Sequence, residues 1–186
     1  MTARRRPGSI TVMPTTFPPA GQASTRPGQH DQRSFLLQRA QPAIAGLIDG
    51  SLSTLAPVFA VAFATHVSRY AFLAGLATAI GAGVSMAFSE GLSDTGDLTG
   101  RGRPYARGAI TGAGTFLGGI LHTLPFLIPQ YRPAILLALA AIASELLALA
   151  WIRRRFFGTS FLASLITVTL GGAIIATISA ALGALT

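Results

Sequence analysis

Five stretches of the chain are continuously apolar, and each is long enough to cross a bilayer, which takes about 20 residues. They run over Ala43–Thr65, Tyr70–Leu92, Gly108–Ile128, Pro133–Ile152 and Phe161–Leu185. Apolar runs of this length predict membrane-spanning helices. The linkers between them are short, so consecutive spans are expected to be antiparallel neighbours. The predicted fold class is all-α, a polytopic membrane protein with five transmembrane helices.

Residues 1–34 are different in kind. Arg4, Arg5 and Arg6 precede Pro7, Pro14, Pro18, Pro19 and Pro27 among Ser, Thr, Gly and Gln. Such a segment has nothing with which to build a core, and it predicts a disordered Arg/Pro-rich tail. A signal peptide would need an apolar region after its positive start, and none follows. Ser34–Gln41 predicts an interfacial helix leading into the first span at Pro42, a favourable first-turn position. The chain thus divides into a tail over 1–34 and a five-helix membrane domain over 35–186.

Composition agrees with the pattern. Hydrophobic residues make up 51% of the chain and charged residues 11%, and the mean hydropathy is +0.57. That is too little charge to cover a water-soluble domain of this size. The formal net charge of +8 raises nucleic acid as a partner. The arginines lie at the ends of apolar runs, however, which excludes that reading. With no cysteine there are no disulfides, zinc-thiolate sites or cysteine nucleophiles.

The arginines also give an orientation. Arg4, Arg5, Arg6, Arg26, Arg33 and Arg39 precede the first span; Arg101, Arg103 and Arg107 lie between the second and third; Arg153, Arg154 and Arg155 lie between the fourth and fifth. The other two linkers hold only Arg69 and Arg132. Positive residues collect on the cytoplasmic side, so the N-terminus is predicted inside and the C-terminus outside. An error in span count would scramble this alternation.

Three acids fall inside the spans: Asp49, Glu90 and Glu145. A carboxylate in the membrane is costly and points to function, although a protonated acid bonded to a neighbouring helix is the bland alternative. Ser53 lies on the same face as Asp49, four residues on, and Pro57 four beyond that. Pro57 has no N–H for the Ser53 carbonyl and crowds it, so a kink is expected that frees an oxygen near Asp49. Ser51 and Thr54 add hydroxyls. A carboxylate beside backbone oxygens suits a hard or borderline cation.

The second span carries the clearest stripe. Met86, Glu90, Asp94 and Asp97 follow at helical spacing, below a small-residue face of Gly75, Ala79 and Gly83. The Met86 thioether would favour a transition metal over Mg²⁺ or Ca²⁺. Glu145 sits near the middle of the fourth span, where desolvation favours the neutral acid, so it is read either as a proton carrier or as support for a ligand. The third span aligns Thr111, Thr115, Gly119 and His122, and Gly114 with Gly118 forms a close-packing pair. His122 is read as a packed or pore-exit histidine on the outer side, away from the acids. The fifth span has no ionisable residue; Gly171, Gly172 and Ala176 read as scaffold. No nucleotide-binding loop, nucleophile elbow or paired-histidine motif is present, so the chain is not expected to be an enzyme, and transport would draw on a gradient.

The segments GLIDGSLSTLAPVFAVAFAT (Gly46–Thr65) and GAGVSMAFSEGLS (Gly81–Ser93) resemble the first two spans of the vacuolar iron transporter family. TGRGRPYARGAITGAGTFLGGILHTLPFLIP (Thr99–Pro129) is similar to the membrane half of membrane-bound ferritins. The likeness extends over about residues 38–186. It implies a homodimer in the inner, cytoplasmic membrane that exports Fe²⁺ or Mn²⁺ from the cytoplasm in exchange for protons, with the metal as substrate rather than cofactor. By the resemblance, Asp49 and Met86 match translocation residues and Glu90 matches the glutamate of the second-span motif; Glu145, Asp94 and Asp97 complete the candidate metal-site set. Two modules of those families have no counterpart. Residues 1–42 are too short for a ferritin-like domain, and the Ser93–Arg107 linker is too short for a Glu-rich helical insert. An alternative follows from that loss: a non-transporting adaptor that docks a separate ferritin-like or redox partner.

Overall fold

The computed structural model describes residues 27–183 except Leu98, and over them the only regular structure is helical. The α-helices are α1 Pro27–Phe35, α2 Gln41–Ser53, α3 Leu55–Thr65, α4 Ser68–Ser93, α5 Pro104–Leu121, α6 Tyr131–Phe157 and α7 Phe161–Gly183. A π-helical turn, Leu36–Ala40, joins α1 to α2, and a 3₁₀ turn, Leu124–Leu127, follows α5. Four stretches are long and apolar enough to cross a membrane: Asp31–Thr65, Ser68–Ser93, Tyr131–Phe157 and Phe161–Ser179.

The third apolar stretch is realised as α5 plus the 3₁₀ turn, and it is not among those four. Five of the 18 residues of α5 are glycine, which lowers its hydropathy. Those glycines are there for contact. α5 lies between α2 and α4, and it meets each through its own glycine pair. A methyl group on Gly108 or Gly112 would collide with the Ala87 or Gly83 carbonyl of α4; one on Gly114 or Gly118 would collide with the Ala43 or Leu47 carbonyl of α2. The small face expected on the second span is part of this packing, since Gly83 abuts Gly112 and Ala79 abuts Gly119. α5 is therefore clasped by α2 and α4 through its glycines, and its remaining face exposes an apolar stripe of Tyr105, Ala109, Ala113, Leu117 and Leu121.

The larger side chains pack elsewhere. Leu55, Val58, Phe59 and Ala62 of α3 form a core with Ala71, Phe126, Ala134 and Ala138. Phe59 and Phe126 meet edge to face at 6.3 Å. The outer surface is apolar as well. α7 alone exposes Leu162, Ile166, Leu170, Ile174 and Ile178 in a stripe of four-residue steps, the surface of a helix that faces acyl chains.

The break expected near Pro57 takes the form of an interruption of the helix three residues before it. The first span breaks between α2 and α3 at Thr54, whose N–H reaches the Gly50 carbonyl only at 3.4 Å. The Thr54 hydroxyl reinforces that carbonyl by donating to it at 2.7 Å.

The expected tail needs correction at its end. Residues 1–26 lie outside the described residues, but residues 27–34 are helical where disorder was expected. Pro27 starts α1, and the helix runs through the π turn into the first span, so no separate nucleation is required. Phe35 also stacks at 6.5 Å on Phe156 near the end of α6. The C-terminal end of the fifth apolar stretch, residues 184–185, is likewise outside the described residues.

Candidate functional site

Arg107, in the first turn of α5, organises the α4–α5 connection. Its side chain is 1% exposed and every guanidinium nitrogen has a partner. Nε donates to Glu90 Oε1 at 2.9 Å, NH1 to the Gly102 carbonyl at 3.0 Å, and NH2 to the Asp94 carbonyl at 2.9 Å. Arg101 adds a second cation on the same Glu90 oxygen at 2.8 Å. A buried guanidinium must be paired and hydrogen-bonded, and here it is.

Asp94, just past the end of α4, folds the connecting loop. It accepts from the Gly96 N–H at 2.8 Å and from the Thr99 hydroxyl at 2.5 Å, and its Oδ2 lies 3.9 Å from Arg107. The Thr99 hydroxyl above all, then the Gly96 N–H and the two arginines, hold its carboxyl below the ordinary 3.8, against an opposing effect of desolvation. Gly96 and Gly102 have φ of 88° and 74°, and a Cβ on Gly96 would strike the Gly102 carbonyl. The turn requires glycine at that position.

The row of acids read along the second span is thus divided. Glu90 and Asp94 close around Arg107. Asp97 is exposed on the loop, and Met86 is half-buried one turn above Glu90. Asp49 is half-buried on α2 and takes part in no ion pair among the described residues. Glu145 is in neither group. No cluster of three or more His, Asp or Glu side chains suited to a metal occurs among the described residues.

Glu145 belongs to a second centre. Its Oε2 lies 3.2 Å from His122 Nδ1, and His122 Nε2 lies 2.8 Å from Thr54 Oγ1. His122 and Thr54 are fully buried, and the glutamate side chain is 9% exposed. The chain of contacts ties the kink of the first span to the C-terminal end of α5 and the middle of α6. His122 was expected away from the acids, and this is a correction. It caps α5, and the 3₁₀ turn beyond it tucks Phe126 into the core, so this helix end is enclosed rather than open to the outside.

No family model, no curated protein and no solved structure matches the chain.

Proposed function

We propose that the chain is an exporter of divalent metal, Fe²⁺ or Mn²⁺, that exchanges the ion for protons across the cytoplasmic membrane. The observation that carries this reading is Asp49, a half-buried carboxylate within a helix long and apolar enough to span a bilayer, which enters no ion pair among the described residues. Such a group is costly in lipid unless something compensates it, and a cation is the direct compensation. Asp49 lies on the face of α2 that leads through exposed Ser53 to Pro57, so that face is open within a single chain.

In a dimer whose copies meet through this face and through the Met86 side of α4, two Asp49 and two Met86 would come together, carboxylate oxygens with thioethers, a set suited to a transition dication. Glu90, held by two arginines, serves packing in this reading rather than coordination. The resemblance of the first two spans to the vacuolar iron transporters supports the same assignment. α5 would be the fifth crossing: its 18 residues extend about 27 Å at 1.5 Å each, and the 3₁₀ turn lengthens it further. Five crossings also keep the arginines of the longer linkers on the cytoplasmic side, with the N-terminus inside.

The test is uptake of Mn²⁺ by purified protein in proteoliposomes, with and without an imposed pH gradient. Accumulation that follows the proton gradient supports the exporter. Protein that moves no metal in either condition removes it and leaves the adaptor reading.

A further inference from the structure

The His122–Glu145 pair is a buried ionisable centre that the metal ligands above do not use. Valence fixes its hydrogens. The Thr54 hydroxyl has one hydrogen, which goes to the Gly50 carbonyl at 2.7 Å. Toward His122 that oxygen can only accept, so Nε2 carries a hydrogen. The contact from Nδ1 to Glu145 Oε2 then needs one hydrogen more, on either atom. A neutral imidazole facing a carboxylic acid satisfies it, and so does an imidazolium facing a carboxylate. Both states hold one proton and carry no net charge. Without that proton a lone pair would face an anionic oxygen.

The other Glu145 oxygen, Oε1, is buried with no partner. The surroundings offer little else that titrates. α3 and α7 have no ionisable residue, and α2 has only Asp49. α4 carries Arg69 and Tyr70 at one end and Glu90 at the other; Tyr105 and Arg107 open α5 at the end opposite His122. On α6, Tyr131 and Arg132 begin the helix and Arg153, Arg154 and Arg155 end it, with Glu145 between.

We infer that His122 and Glu145 form a dedicated proton-binding site, one proton per chain, coupled through the Thr54 hydroxyl to the kink beside Asp49. The inference rests on the exchanger reading for its role in transport, but the proton site itself does not. Thr54 joins the pair to Gly50, the residue next to Asp49. Loss of the proton replaces the Nδ1–Oε2 hydrogen bond with repulsion, and α5 and α6 are pushed apart at the point where Thr54 holds the kink. One such pair in each of two copies returns two protons for each dication exported, an electroneutral exchange.

Two measurements separate the parts. In the infrared, the full-length protein in detergent is expected to show the band of the shared proton, a protonated-carboxyl stretch or an imidazolium mode, that disappears in Glu145→Gln and persists in Asp49→Asn. In proteoliposomes, Glu145→Gln is expected to abolish the pH-gradient-driven component of Mn²⁺ uptake and the lumenal pH change that Mn²⁺ elicits. Exchange of labelled for unlabelled Mn²⁺ persists, because it moves no net proton. Glutamine keeps the size of the acid and can donate to Nδ1, so folding is expected to hold. Should it not, the pH dependence of that wild-type band and the insensitivity of wild-type transport to membrane potential carry the test. Absence of both a protonated-carboxyl band and an imidazolium band in the wild-type protein overturns the proton site. Wild-type coupling in Glu145→Gln, or transport that follows the membrane potential, overturns its role. Wild-type protein that moves no Mn²⁺ overturns the exchanger reading and leaves the infrared result to judge the site.

Discussion

Arg107 donates its Nε–H to Glu90 Oε1 at 2.9 Å, binding the start of α5 to the end of α4 across 17 residues of sequence. With Arg107 1% exposed, the pair is effectively a buried one. Removing one partner of such a pair leaves an uncompensated charge and costs about 3–5 kcal/mol. Glu90→Gln and Arg107→Ala are both expected to lower thermal stability in detergent by an amount of that order. Arg107→Lys is not a rescue, because one ammonium cannot reach Glu90, Gly102 and Asp94 together. The protein that survives Glu90→Gln is expected to keep its apparent affinity for Mn²⁺. A large rise in KM with stability intact would return Glu90 to the ligand set.

The glycine pairs of α5 set a second expectation. A Cβ at Gly118 would lie against the Leu47 carbonyl, and one at Gly50 against the Thr115 carbonyl, with backbone rather than flexible side chain in the way. Gly118→Ala or Gly50→Ala therefore forces α2 and α5 apart, at about 1–3 kcal/mol or more. Gly81→Ala is the control, since nothing lies within 4 Å of a methyl there. Thermal unfolding of the three variants in one detergent checks the contrast. Equal midpoints would mean that the helices are not in backbone contact.

Much of this architecture was legible in the sequence, because hydrophobic length and proline chemistry are local. The second and fifth apolar stretches became α4 and α7 with ends within two residues of those expected. The fourth became α6 but runs on through Arg153, Arg154 and Arg155 to Phe157, and the first is interrupted three residues before Pro57. What was not legible depends on how neighbouring helices are set against one another. Arg107 counts as an orienting charge when read along the chain; only the α4–α5 packing reveals it as the partner of Glu90. His122 stands at the C-terminal end of α5, which sequence places near the outer surface. The 3₁₀ turn folds over that end, and α6 brings Glu145 level with it. The nearest sequence signal was a histidine and an acid on adjacent spans, and that does not specify depth.

Asp94 gives a pH prediction outside the membrane. Its folded value lies below the ordinary 3.8, so the stabilisation it lends the 94–103 loop is present at neutral pH. That contribution is lost as pH falls below 3.8 and through the depressed folded value, when protonation weakens the bonds from Gly96 and Thr99. Amide exchange at Gly96, or cleavage of the loop by an acid protease, is expected to rise only below that point. Asp94→Asn keeps an acceptor for the Gly96 N–H but has no carboxylate to titrate, so its loop opens more readily at neutral pH and shows no such step. A step of equal size in the variant would place the acid sensitivity elsewhere.

The metal assignment makes the last prediction, and it turns on charge more than shape. Asp49→Asn keeps the volume and shape of the side chain while removing the charge that would compensate a dication. It is expected to abolish Mn²⁺ uptake with fold and oligomeric state unchanged by size-exclusion chromatography. Met86→Ala removes a soft ligand, so it is expected to weaken Fe²⁺ and Mn²⁺ uptake while its packing loss stays modest at a half-buried position. Deleting residues 1–26 separates an exporter from an adaptor: a transporter whose ligands lie on α2 and α4 keeps its rate without them. Wild-type uptake in Asp49→Asn would dismiss the site, and loss of uptake on deleting 1–26 would place an essential element ahead of α1.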